Sequence, residues 1–135
     1  MKLQPDQSGV QSISGYGPGW IAVDGERIEN SVIVTSTGLR LDWQCATFED
    51  LDASHFSRLA EIDAELVIFG SGERLRFPSP AWLAPLIAKR IGIETMDTQA
   101  ACRTYNILSA EGRKVIAALL VEIAPPSSKC ATNFG

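Results

Sequence analysis

With 135 residues, 45% of them apolar and 21% charged, the chain carries enough core-forming material for one domain that needs no disulfide or metal staple. A formal net charge of −4 argues against non-specific nucleic-acid binding, which needs cations to displace counterions from phosphates, and against an anionic membrane surface as partner. No apolar run approaches the roughly 20 residues that span a bilayer, so membrane insertion is not expected.

Residues 1–9 carry neither the apolar stretch of a signal peptide nor the Arg-rich amphipathic pattern of a transit peptide, so a cytoplasmic protein is expected. Residues 12–19, rich in Gly and Ser and containing Pro18, read as a loop or irregular edge. Residues 20–23 and 27–35 flank Asp24-Gly25, a dipeptide suited to the positive-φ positions of a tight hairpin turn. A second turn at 36–38 leads into a short strand over 39–43, so the first third is expected to be an antiparallel meander. Asp52 or Ser54 caps a helix that carries Phe56, Leu59 and Ala60 at helical spacing. A short apolar strand over 65–69 then ends at Gly70-Ser71-Gly72.

Ser79-Pro80 is an N-cap and N1 pair opening a helix that presents Leu83, Leu86 and Ile87. Pro85 either kinks that helix or moves its regular part to about Ala84. A strand over 93–96 follows, and Asp97 or Thr98 caps a helix running to about Ala110, with Gly112 ending it. Residues 114–123 form a strand with almost no polar position in its middle. Continuous apolarity predicts burial on both faces and a central place in the sheet. Val115, Ala117, Leu119 and Val121 should share one face, with Ile116, Ala118 and Leu120 on the other.

The second half thus reads strand, helix, strand, helix, strand, and crossovers of that length suit parallel pairing with right-handed connections. The expected fold class is mixed α/β: a mixed central sheet with helices on one face, βαβαβ in the C-terminal half, and an antiparallel N-terminal meander that either extends that sheet or packs on it. One domain is expected over 1–135, with its core at about 20–123 and residues 124–135, rich in Pro and small polar side chains, read as a disordered tail.

Chemistry-bearing residues are sparse. The cysteines, Cys45, Cys102 and Cys130, are odd in number and none sits at CxxC spacing; with His55 as the lone histidine, no zinc site is implied and the thiols read as reduced. Gly70-Ser71-Gly72 follows a strand as a dinucleotide-binding turn would, but Leu75 stands where the third glycine belongs and no helix starts directly behind it. No cofactor is implied. The densest polar stretch is residues 96–106, a helix N-terminus behind a strand. Within it Asp97 has the simple role of a cap. Arg103 and Asn106 are neighbours on one helix face and read as a polar clamp for a ligand or as a hydrogen-bonded anchor for a loop or the meander, the anchor weighing more. Cys102 would be a nucleophile only with a base, and none accompanies it, so no catalytic residue is assigned and the weight falls against an enzyme.

Gly70-Ser71-Gly72, then Phe77-Pro78-Ser79-Pro80, then the stretch from Gly92 through Met96-Asp97-Thr98 and Ala101-Cys102-Arg103-Thr104-Tyr105-Asn106, resemble a widespread domain of unknown function. Its relatives include a mitochondrial complex I assembly factor and an adipogenesis-associated protein. The resemblance spans roughly residues 21–121. It implies a layered β/β/α fold, in which a mixed central sheet carries helices on one side and an antiparallel sheet on the other. It implies no reaction, and it moves the expected function toward a small non-enzymatic binding or assembly protein with a protein partner, linked to respiratory complex assembly.

Two readings of function follow. An assembly module would present an apolar patch, with Trp43 or Trp82 in it, to a partner protein. A small-ligand or enzymatic domain would instead place a pocket at the carboxyl ends of the parallel strands, where Gly70, Ser71 and Gly72 face Asp97, Thr98, Cys102, Arg103 and Asn106. There the glycines, the helix N-terminus, Arg103 and Arg74 would hold an anion, against the opposing charge of Asp97. An open concavity at that place favours the ligand reading and a filled one favours the module.

Overall fold

A computed structural model describes residues 11–122 of the protein. The elements run β1 (Ile13–Gly17), β2 (Trp20–Val23), β3 (Glu26–Ile28), β4 (Val32–Thr35), β5 (Arg40–Asp42), α1 (Ala53–Ala60), β6 (Leu66–Gly70), α2 (Ala84–Ala88), β7 (Gly92–Met96), α3 (Thr98–Ala110) and β8 (Val115–Leu119). Two short 3-10 turns, Phe48–Asp50 and Pro80–Leu83, precede α1 and α2. The expected tail, Cys130 and residue 123 lie outside the described residues.

The fold is mixed α/β. A five-stranded sheet has the order β5-β4-β8-β6-β7, and a separate three-stranded antiparallel sheet has the order β1-β2-β3. β6 runs parallel to β7 and β8, whereas β4 runs antiparallel to β5 and β8, which makes the large sheet mixed. The strand of continuous apolarity is its centre: every residue of β8 is buried. Val115, Ala117, Leu119 and Val121 pack on one side of it with Val32, Val34 and Ile68. Ile116, Ala118 and Leu120 pack on the other with Ile33, Val67 and Phe69.

The meander both extends the sheet and packs on it. The hairpin at Asp24-Gly25 forms as expected, with both residues at positive φ. The expected strand over 27–35, however, is two strands. It stops at Ile28, and after Asn30-Ser31 the chain enters the large sheet as β4. Ser31 closes this crossing by accepting the backbone N–H of Val121 at 3.0 Å. Residues 13–17, expected to be a loop, form β1; its Gly15 and Gly17 lie against the indole of Trp20, which fills the space their missing side chains leave.

Helices cover both faces rather than one. α1 and α2 pack over Ile33, Val67, Phe69 and Ile116. α3 shares the opposite face with the small sheet, through Ala101, Cys102 and Tyr105 against Ile13, Ile21 and Val23. Handedness explains this. β7 and β8 lie on opposite sides of β6, so two right-handed crossovers must pass on opposite faces. α2 is short and begins at Ala84, with Pro85 in its first turn where the missing N–H costs nothing. Only Leu86 of its expected apolar face is fully buried, and Ile87 is exposed. Trp43, expected as a surface residue, is buried and meets Phe56 and Phe69 edge-on, each at 5.8 Å between ring centroids.

Candidate functional site

The carboxyl ends of β6, β7 and β8 converge, because each is hydrogen-bonded to the next in parallel register. Gly70 is placed beside both Met96 and Leu119. Behind β7, Asp97 caps α3 by accepting the N–H of Ala100 at 2.9 Å. Thr98 then ties the three strand ends together. Its hydroxyl accepts the Gly72 N–H at 2.9 Å and donates to the Leu120 carbonyl at 2.8 Å, while its own N–H donates to the Gly72 carbonyl at 2.9 Å. A Cβ on Gly70 would stand 3.0 Å from the Thr98 Cα, so glycine there is what allows the two chain segments to close.

Ser71 is fully buried and closes the loop behind β6. Its hydroxyl accepts the Arg76 N–H at 3.0 Å and donates to the Arg74 carbonyl at 2.7 Å. Arg76 folds inward: its guanidinium bonds the Ser71 carbonyl at 2.7 Å and pairs with Glu122 at 2.6 Å, and both side chains are 18% exposed. It also lies 4.8 Å from the ring centroid of Phe48, whose N–H donates to the second oxygen of Glu122 at 2.7 Å. Gly72, at φ +103°, leaves the room: a Cβ there would fall 2.5 Å from both Arg76 Nη2 and Glu122 Oε1. This pair joins the β6 loop, the end of β8 and the turn at Phe48.

Above the strand ends lies an open cleft of about 460 Å³. The tip of the β1–β2 hairpin, from Tyr16 to Trp20, forms one wall; Gly72, Glu73, Asp97, Thr98, Gln99, Leu120 and Glu122 line the other. The expected site residues divide here. Gly72, Asp97 and Thr98 line the cleft, whereas Gly70 and Ser71 lie beneath it. Arg103, Cys102 and Asn106 do not line it. Arg103 turns to the hydroxyl of Tyr16 at 2.9 Å. Asn106 bonds both backbone groups of Ile13, each at 2.8 Å, as a neighbouring strand would. The Tyr105 hydroxyl donates to the Gln11 carbonyl at 2.8 Å. The polar stretch on α3 therefore anchors β1 and, through it, the hairpin wall.

The charges in the cleft have the sign that repels an anion. Glu73, Asp97 and Glu122 line it, and among the described residues no Lys or Arg does. Of the first α3 donors, Thr98 N–H is spent on Gly72 and Ala100 N–H on Asp97. Among the described residues, no three His, Cys, Asp or Glu side chains converge as metal ligands.

Set beside known proteins, residues 13–120 match the sequence profile of a family described as "Protein of unknown function (DUF498/DUF598)". The chain belongs to this family. A curated relative of this DUF498/DUF598 chain is the NADH dehydrogenase [ubiquinone] 1 alpha subcomplex assembly factor 3 of Bos taurus. It is 29% identical over 133 residues, covering 97% of this chain and 70% of that protein. A crystal structure from Bordetella parapertussis is 36% identical, with a TM-score of 0.79, and covers 84% of this chain and 98% of that one. The solution structure of a Mth938-like domain from Bordetella pertussis is 31% identical with a TM-score of 0.76, covering 96% and 98%.

On α3, Cys102 is fully buried and burial pushes its thiol pKa up to about 12. A raised pKa is the opposite of what a nucleophile needs. Cys102 should therefore resist a soluble aromatic disulfide in the native protein and label only as fast as the protein unfolds. Labelling of native Cys102 at the rate of a free thiol would reopen a nucleophilic role.

Proposed function

We propose that this chain is a non-enzymatic protein-binding module that serves respiratory complex assembly, and that it docks its partner through the loop joining β6 to α2. One observation carries this reading. In that loop the polarity is inverted: Arg76 is pinned inward, while its neighbours Leu75 and Phe77 are 52% and 69% exposed. Folding alone would bury the two apolar side chains and solvate the arginine. Here hydrogen bonds and an ion pair hold the reverse arrangement, which presents an apolar surface. The half-buried Phe48 and Trp82 lie with ring centroids 6.1 Å apart, and Phe48 lies against Arg76.

The name of the animal relatives, an assembly factor of NADH dehydrogenase [ubiquinone], supports the same reading. Among the described residues no helix is long and apolar enough to cross a membrane. A cytoplasmic setting belongs to the proposal and is supported by Cys45 and Cys102, which are both unbridged. The second reading, a small-ligand domain, is favoured by the open cleft at the strand ends. The carboxylates in it speak for a cationic ligand rather than the anion expected from the glycines and Arg103.

In-cell photo-crosslinking tests the docking loop. A photoreactive phenylalanine analogue replacing Phe77 should trap one discrete second protein. The same analogue replacing Ile107, another exposed apolar residue, on α3, should not. Equal trapping at both positions, self-crosslinks alone, or no adduct at position 77 would contradict the proposal.

A further inference from the structure

We propose that the cleft receives an extended segment of a partner protein as a short added strand on the outer edge of β1, with a lysine or arginine of that segment between Glu73 and Asp97. This rests on the reading of the chain as a protein-binding module but not on the loop carrying Phe77.

The edge is available by geometry. The β1–β2 turn has two residues, Pro18 and Gly19, so Gly17 and Trp20 form its closing hydrogen-bonded pair. Alternation then aims the N–H and C=O of Tyr16 away from β2. The register shift between Ile13 and Gly15 inserts one extra residue, which brings Tyr16 to the same outward side as Ile13. At Ile13 that outer edge is already paired, by the two bonds to Asn106. At Tyr16 no such substitute exists: its outward N–H and C=O bond to no described residue. α3 thus covers the edge where it passes and leaves it open where the cleft begins.

Charge selects the occupant. Of the carboxylates lining the cleft, Glu122 is neutralised by Arg76, whereas neither Glu73 nor Asp97 forms an ion pair with a described residue. Main-chain bonds to the edge give affinity for any extended chain, and Glu73 and the capping carboxylate of Asp97, neither charge-paired with a described residue, give preference for a cationic side chain. Tyr16 and Trp20 offer little to a free cation, since Arg103 stands 6.0 Å from the Tyr16 ring and Arg27 stands 4.6 Å from that of Trp20.

Two capped pentapeptides test this on the ¹⁵N-labelled full chain: Thr-Val-Arg-Val-Thr and the same sequence with Glu at its centre. At roughly millimolar concentration the arginine peptide should shift the amides of Tyr16, Gly72 and Gln99, and the effect should weaken as salt is raised. The glutamate peptide, and an arginine peptide N-methylated along its backbone, should not. The double variant Glu73→Gln, Asp97→Asn keeps the helix cap, because Asn caps as well as Asp, and should bind the arginine peptide about tenfold more weakly. Equal response to both charges, an unchanged affinity of the double variant, or full binding of the methylated peptide would overturn the proposal. If the cleft stays silent while Phe77 crosslinks a partner, strand addition fails and the binding-module reading stands. If the peptide binds and position 77 traps nothing, the docking loop fails and the cleft stands.

Discussion

Leu119→Ala is expected to lower the unfolding free energy by about 2–5 kcal/mol, through lost transfer energy and the cavity left behind. Leu119 is fully buried in the central strand, paired with Val32 on one side and Gly70 on the other. Its Cδ2 lies 3.0 Å from where a side chain on Gly70 would begin, so Leu119 fills the space that glycine leaves open. Gly70 has no side chain with which to refill that space. The backbone on both sides is hydrogen-bonded into the sheet and will not collapse inward. The upper half of the range is therefore expected. Urea unfolding should show a lower midpoint at unchanged slope. A loss well under about 1 kcal/mol would mean that β8 is not the centre of the core.

Breaking the pair between Arg76 and Glu122 is expected to cost about 3 kcal/mol, the lower end for buried pairs because both side chains keep some water contact. Glu122→Ala strands the guanidinium of Arg76 and the N–H of Phe48 together. Arg76→Ala strands the carboxylate instead. The double change Arg76→Met, Glu122→Met should lose less than the two single changes combined, since neither charge is then left unpaired. Fully additive losses, or single losses below about 0.5 kcal/mol, would show that the pair does not hold the loop.

These two residues were illegible in the chain, because they stand 46 positions apart and no local pattern links them. The features that could be read were those dictated by local spacing. Both faces of β8 followed from its unbroken apolarity, the Asp97 cap from its place before a polar helix start, and the nearness of Gly72 to Thr98 from the rule for strand ends. The anchoring role weighed for Asn106 is the one the structure holds, in its two bonds to Ile13. β1 resembled a loop because its glycines have meaning only with the Trp20 indole lying over them. Residues 27–35 resembled one strand because a run of β-formers does not reveal that the chain changes sheets at Asn30-Ser31. The sidedness of the helices depended on sheet order, which places β7 and β8 on opposite sides of β6. The cleft needed a third participant, the hairpin tip, that strand-end reasoning does not supply.

The proposed function rests on the inverted loop, and the most direct measurement is the affinity of the crosslinked partner for the chain carrying Leu75→Ser and Phe77→Ser. Both side chains are exposed, so thermal stability should stay within about 0.5 kcal/mol of the parent. The affinity should fall by about tenfold or more, as expected when apolar anchors leave the centre of an interface. Unchanged affinity at unchanged stability would contradict the assignment of this loop as the docking surface.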